Sequence, residues 1–432
     1  MIIIDKSLVL GDNIICMGKN GIEKENEQEE NRMKISGVIC EYNPFHNGHL
    51  YHIEQTRRNG ATHIVSVMSG SFVQRGDAAI MDKHRRARLA VRSGVDLVIE
   101  LPVQFSLASA ESFAAGAVWL LNGLGVVDEL SFGSESGDVA KLTSALETVD
   151  EIAAGKKSEI LEIMEKGYTY PRALCSVVNG IEPRAGALIS EPNNMLAIEY
   201  IRALKAFRSD IQPFTVKRSG AAHDSSETSD GTASASYIRE RILSGADTSE
   251  LESLMPEIWA NAVRECIASG SIAKLERLER VILYRLRMSS PEEIASLSDV
   301  GQGLEHRIYG ARMASSLEEL LFSVKTKRYT MARIKRILLS LLIGITREDM
   351  THMPPYGRIL ALNERGREIL AKAKGRASMP YATSIASLSR VNRVTKRFAE
   401  LEGRASDIYG LSLDTVTSSA DDMKAKIMID LE

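Results

Sequence analysis

Cysteine is scarce in this chain and is not arranged for metal or disulfide chemistry. The four cysteines, Cys16, Cys40, Cys175 and Cys266, lie far apart and form no C-x-x-C pair. That argues against a zinc ribbon or a disulfide framework and fits a reducing cytosol. Long apolar runs are missing too: the best, Ile337 to Ile345, is about half of what a membrane-spanning helix needs, so no membrane contact is expected. The start carries Asp5 and Asp12 and lacks the basic stretch that opens a secretory signal. Neither sign of charge prevails. A net charge of −3 supplies no overall basic field, so any RNA contact must be a local patch. There is no internal repeat at solenoid spacing, and no acidic cluster stands out that would hold a resident metal.

What is present is an ordinary globular balance, 44% hydrophobic and 26% charged over 432 residues, enough for two or three domains with real cores. Residues 1–32 stand apart. Gly21 to Asn31 are almost all polar or acidic and cannot bury enough surface to fold alone, so this stretch reads as a disordered N-terminal extension.

From Met33 the pattern alternates. Ile35–Cys40, Thr62–Met68, Asp96–Glu100, a run ending at Ser131-Phe132, and Ile211–Lys217 read as strands. Helices are predicted at about Gly48 to Arg58, Asp82 to Arg92, Ala110 to Leu121 and Pro192 to Phe207. Short apolar strands alternating with helices imply parallel pairing and a doubly wound, mostly parallel Rossmann-like α/β sheet over residues 33–245. Gly220 to Gly231 is a polar loop. Residues 246–345 read as a helical domain, and 346–432 as a small mixed α/β segment.

Every suspicious residue in the first half follows a strand, where such sheets bind ligands. Asn43-Pro-Phe-His46-Asn-Gly48-His49 follows the first. Two imidazole N–H groups beside a helix N-terminus can stabilise charge that builds on phosphate oxygens as pyrophosphate leaves ATP. Gly48 removes a side chain that would keep ATP from the backbone. The alternatives are a turn whose histidines only cap a helix, or a metal site from His46, His49 and His52, for which no nearby carboxylate or thiol completes the set. Arg75, in Gly70-Ser-Phe-Val-Gln-Arg-Gly76, is either a plain loop arginine or a fork onto a carboxylate or phosphate. Gly133 either turns the chain or lets backbone lie close to a base or ribose. In Ala233 to Arg239, Ser234 or Ser236 can cap a helix; together with Arg239 they can also clamp phosphates. Lys325, Lys327, Arg328, Tyr329, Arg333, Lys335 and Arg336 form a run without acidic residues, either a solvated helix face or a phosphate-backbone site for RNA.

The ordered set of Glu41–His52, Gly70–Gly76, Asp96–Pro102, Phe132–Glu135, Glu191–Tyr200, Lys217–Asp224, Ala233–Arg239 and Tyr329–Arg336 resembles the bacterial tRNA(Met) cytidine acetate ligases, within the HxGH nucleotidyltransferases. The resemblance covers nearly everything after Met33. It implies a ligase that turns ATP and acetate into acetyladenylate, then passes the acetyl group to N4 of the wobble cytidine of elongator tRNA(Met). It implies ATP contacts along Ile39, Cys40, Glu41, Tyr42, Asn43, Pro44, Phe45, His46, Asn47, Gly48, His49, Leu50, Tyr51 and His52, and at Gly133, Asn194 and Arg218. His46, His49, Arg75, Ser236 and Arg239 would carry the chemistry, with magnesium riding on the ATP phosphates. Three positions depart from the family: Ser236 for threonine, Ala222 for tyrosine and His84 for tryptophan. Serine keeps the hydroxyl; the other two leave their local contacts in doubt. A metabolite adenylyl transferase, or an RNA-binding scaffold with a relic nucleotide site, would share H-x-G-H alone.

Overall fold

The computed structural model describes the backbone of Ile14 and Ile15 and residues 33–218, 233–245, 248–301 and 303–425. The polar loop Gly220 to Gly231, Ala222 and the acidic stretch Gly21 to Asn31 lie outside the described residues.

One sheet organises these residues. Its strands are β1 (Ile14–Ile15), β2 (Ile35–Cys40), β3 (His63–Ser69), β6 (Leu97–Leu101), β7 (Glu129–Ser134), β8 (Gln212–Lys217), β9 (Gly357–Leu362) and β10 (Tyr381–Ala382). They stand in the order β1-β10-β9-β6-β3-β2-β7-β8, while β4 (Phe72–Val73) and β5 (Asp77–Ala78) form a separate hairpin. The run β6-β3-β2-β7-β8 is parallel throughout. The chain builds outward from β2 through β3 to β6, then returns to the other side of β2 for β7 and β8. The end of β2 is therefore the switch point where such sheets open a crevice.

The strands are apolar on both faces, as expected of parallel strands covered on two sides. Ile35, Val65, Val67, Leu97 and Ile99 pack on one face with the helix Ala110–Gly123 and its neighbours. Val38, Ile64, Met68 and Val98 pack on the other, with Trp259 and Val263 of the helix Glu257–Ala268.

Four features differ from the sequence reading. Four helices between Val139 and Ser190 fill a stretch to which no elements had been assigned. The stretch 346–432 is no separate segment: β9 pairs antiparallel with β6, and β10 lies beside β9. From the extension expected to be disordered, Ile14–Ile15 pairs antiparallel with Tyr381–Ala382. The helical region also divides. Helix Glu257–Ala268 belongs to the core beneath H-x-G-H, whereas residues from Ala273 to Ile345 share a second core with the β4–β5 hairpin.

Where β6 meets β9, a cluster of charge is fully buried. Lys83 Nζ lies 2.6 Å from Glu100 and 2.8 Å from Asp422. Arg358 bonds the same two carboxylates at 3.1 and 2.7 Å, and Glu402 stands 3.7 Å from Lys83. His84 Nε2 donates to Asp422 Oδ1 at 2.9 Å.

Candidate active site

Beyond β2 the chain passes through Tyr42, whose φ of +45° is sparsely populated for a non-glycine residue, and a cis Asn43–Pro44 bond. It enters α1 (Asn47–Arg58) with His46 as N-cap. Gly48 N–H donates to His46 Nδ1 at 3.0 Å, and His46 N–H donates to His49 Nδ1 at 3.2 Å. Two readings of the motif therefore hold together. The histidines close a capping box. Because each Nδ1 accepts a backbone proton, each ring's own proton sits on Nε2. Gly48 has a different reason from the one expected: a Cβ there would lie 2.9 Å from Cε1 of His46, so the glycine makes room for the imidazole.

Burial, then the cations and rings around it, hold His49 well below the usual histidine range. Burial and Arg218 bring His52 down to about 4. Both stay neutral near pH 7. The adenylation rate should therefore show no inflection from His49 or His52 between pH 6 and 8. A pH–rate profile of pyrophosphate exchange on wild type and His46→Asn checks this, and a limb with a midpoint near 6.5 that persists in both would contradict it. His52 Nε2 is hydrogen-bonded to Ser131 Oγ at 2.9 Å, and Ser131 Oγ to Thr56 Oγ1 at 2.7 Å, which ties α1 to β7. Burial also pushes the Cys40 thiol up to about 12, so no thiolate is available there at neutral pH.

Arg75 sits at the turn of the β4–β5 hairpin. Its guanidinium donates to Ser236 Oγ at 3.2 Å, and Arg239 donates to the same oxygen at 3.1 Å and to the Asn43 carbonyl at 2.6 Å. Ser234, not Ser236, caps the helix Ala235–Leu243, accepting from Tyr237 N–H at 3.1 Å. Ser236 is thus free of capping duty and joins two cations. Glu41 accepts from Gln74 N–H at 2.7 Å. Burial raises its carboxyl, while that N–H and the nearby Arg239, Arg75 and Arg86 pull it down. Arg86 itself is fully buried and donates to the carbonyls of Glu41, Ser69, Gly70 and Met81, joining the ends of β2 and β3.

These groups meet in a cavity of about 660 Å³, within the range of small-molecule sites. Its walls include Ile39 to Asn43, His46 to His49, Tyr51, His52, Arg75, Gly133, Arg218, Ser236 and Arg239. Four residues of the implied ATP set do not line it: Pro44, Phe45, Leu50 and Asn194. Phe45 is buried and stacked on Trp259 at 5.1 Å. Asn194 is buried, accepts from Ser136 N–H at 3.0 Å and donates its own N–H to Glu135 at 2.7 Å, so it shapes the loop after β7. Its neighbour Asn193 lines the cavity, and so do Lys217, Met195, Leu196 and Tyr200. The Glu191–Tyr200 motif had marked this helix, but only the folded register shows which turn faces inward.

The basic run is divided in the structure. Lys325 and Lys327 are exposed. Tyr329 is buried in the second core, so it is not a surface contact for RNA. Arg333 bonds the Asp299 carbonyl at 2.6 Å, Lys335 bonds Asp77 at 2.7 Å, and Arg336 bonds Asp299 at 3.0 Å and the Gln74 carbonyl at 3.2 Å. The last two hold the hairpin that carries Arg75. Gly76 shows how tightly: its φ is +76°, and a Cβ there would meet Lys335 Cβ at 2.6 Å and Arg336 N at 2.7 Å.

A doubly wound sheet with H-x-G-H at its switch point, facing arginines across a shared cavity, defines a nucleotidyltransferase-type enzyme. The family model described as HIGH Nucleotidyl Transferase matches residues 33–424. A tRNA(Met) cytidine acetate ligase of Alkaliphilus metalliredigens is 38% identical over 401 residues, covering 88% of this chain and 95% of the relative. One of Acetivibrio thermocellus is 39% identical over 393 residues, covering 87% and 94%. Among solved structures, Thermotoga maritima TmcAL bound with alpha-thio ATP superposes with a TM-score of 0.84 at 30% identity, covering 92% of this chain and 99% of that one. Its apo form gives 0.85 at the same identity and coverage. The chain belongs to the tRNA(Met) cytidine acetate ligase family of the HIGH nucleotidyl transferases. Among the described residues no helix is long and apolar enough to cross a membrane.

Proposed function

We propose that this protein activates acetate with ATP and acetylates N4 of the wobble cytidine in elongator tRNA(Met), in the cytoplasm. A carboxylate oxygen of acetate attacks the α-phosphorus, the bond to the β-phosphate oxygen breaks, and pyrophosphate leaves. The N4 amine then attacks the acetyl carbon, the carbon–oxygen bond to phosphate breaks, AMP leaves, and the amine loses a proton. The observation that carries the reading is the meeting of Arg75 and Arg239 on Ser236 Oγ in the cavity that His46 and His49 also line.

A donor-rich site suits this chemistry. Acetate is ionised at neutral pH, so the first step needs no general base. Neutral imidazole N–H groups and guanidinium forks stabilise charge on phosphate oxygens. Ile39, Phe132, Met195, Leu196 and Tyr200 form the apolar wall on which adenine would lie. Magnesium would be carried on the ATP phosphates, where it neutralises their charge. The names of the relatives support the tRNA assignment, and the thio-ATP complex of the Thermotoga protein supports ATP.

The test is ATP–pyrophosphate exchange with and without acetate, followed by transfer of labelled acetate to bacterial tRNA. Acetate-dependent exchange plus label on tRNA is expected. Exchange without acetate would point to a metabolite adenylyl transferase, and no exchange at all to a scaffold. In the same assay Arg75→Ala should raise the Michaelis constant for acetate or ATP about tenfold or more, as loss of a charged hydrogen bond of roughly 1.5–3 kcal/mol requires. If both constants stay at the wild-type values, Arg75 has no such role.

A further inference from the structure

Two stretches far apart in sequence, residues 166–172 (KGYTYPR) and 325–330 (KTKRYT), contain no acidic residue. The fold brings them together. The Tyr168 ring carries the Arg172 guanidinium 5.3 Å from its centroid, and from the other stretch the Lys327 ammonium at 5.7 Å. Beside them the Lys325 ammonium lies 5.8 Å from the Phe322 centroid. Tyr170 and Phe322 are 48% and 59% exposed, so their rings are open to solvent beside these cations.

Two stretches of chain connect this surface to the elements that wall the cavity. The loop ends at Thr330, the cap of helix Met331–Ile343, and Lys335 in that helix grips Asp77 beneath the Arg75 turn. Met331 and Lys335 are separated by about 6 Å of helical rise. On the other side Tyr170–Ile181 is followed by Pro183–Ser190 and then by Pro192 and Asn193 of the cavity wall.

We propose that Tyr168, Tyr170, Arg172, Phe322, Lys325 and Lys327 form the docking surface for an unpaired RNA loop, the rings stacking on bases and the cations meeting phosphates. The proposal rests on tRNA being the substrate. Its chemistry is that of a single-strand platform: aromatic faces accept any base, and adjoining cations follow the backbone. In a chain of net charge −3, a cationic surface of this kind has to be assembled locally.

The test compares the full-length protein with two double variants, Tyr168→Ala with Tyr170→Ala, and Lys325→Ala with Lys327→Ala. Acetate-dependent pyrophosphate exchange, binding of an unmodified tRNA(Met) transcript across a salt series, and acetyl transfer are measured for each. Exchange should be unchanged in both variants, since none of the four residues lines the cavity. The tyrosine variant should bind RNA about tenfold more weakly with the salt slope of the wild type. The lysine variant should lose affinity and flatten that slope by about 1.4–1.8. Binding within twofold of wild type in both variants would overturn the surface. A loss confined to the lysine variant would overturn the stacking. If the wild type neither bound nor acetylated tRNA, the substrate reading would fall, and the surface with it.

Discussion

His49→Ala should lower acetate-dependent pyrophosphate exchange by about 10²–10³-fold while leaving the protein folded. The two effects have separate sources. His49 Nδ1 accepts the His46 N–H, so its removal costs a capping interaction of about 1 kcal/mol. Its Nε2–H is lost as well, and a preorganised donor to a developing oxyanion is worth about 2.7–4 kcal/mol of barrier. The neutral state of the ring makes the donor available without a proton having to be taken up first. His46→Asn provides the contrast. Asparagine caps helices well, so thermal stability should stay near wild type, yet its shorter amide cannot place a proton where Nε2–H stands, and exchange should fall. Exchange within fivefold of wild type in both variants would remove the histidines from the mechanism.

The second large effect is on stability. Arg358→Met should destabilise the protein by about 3–5 kcal/mol, read from the urea midpoint, because it leaves Glu100 and Asp422 buried with Lys83 as their remaining full cation. The charges balance if Glu402 is protonated. Burial and the neighbouring Glu100 hold that carboxyl well above the usual range, against a smaller pull from Lys83. Glu402→Gln should therefore cost about 1 kcal/mol or less, and Glu100→Gln several. Equal costs would refute this division of charge. The pH dependence has the corresponding sign. Despite burial, Lys83 and Arg358 depress Glu100 and Asp422 in the folded state. Their stabilisation is present above the ordinary carboxylate range near pH 4 and is lost as pH falls below it. Glu402 works the other way, its contribution being largest in acid and lost as pH rises.

The β2-to-α1 unit was legible because all its determinants are local. An apolar run, a turn through Asn43-Pro44 and a histidine cap lie within twenty residues, so strand, turn and helix could be read in order. Arg75, Ser236 and Arg239 were legible one at a time, each as a weak signal, and only folding shows one hydroxyl accepting from two guanidiniums. What escaped depends on distant partners. Lys83 and Asp422 meet across 339 positions, and neither carries a mark in sequence that names the other. Lys335 and Arg336 look like RNA contacts in an acid-free run, because their partners Asp77 and Asp299 lie elsewhere in the chain. Asn193 and Asn194 are adjacent and chemically identical. Which of them lines the cavity is decided by helix register, since Glu135 holds the first turn of Pro192–Ala206.

The place of β9 bears on how the protein is made. Glu100 and Arg358 are 258 positions apart, so β6 waits for its neighbour until most of the chain has left the ribosome. Until then LVIEL is an open sheet edge, apolar but for Glu100, the kind of strand that pairs with whatever backbone is at hand. Distant pairing of this sort is also slow, since the loop entropy must be lost before the contact forms. A shortened polypeptide ending before Gly357 would carry every residue of H-x-G-H and the arginine turn, and still present that edge to solvent. It should be recovered mainly as aggregate, which makes the nucleotide half a poor fragment to express on its own.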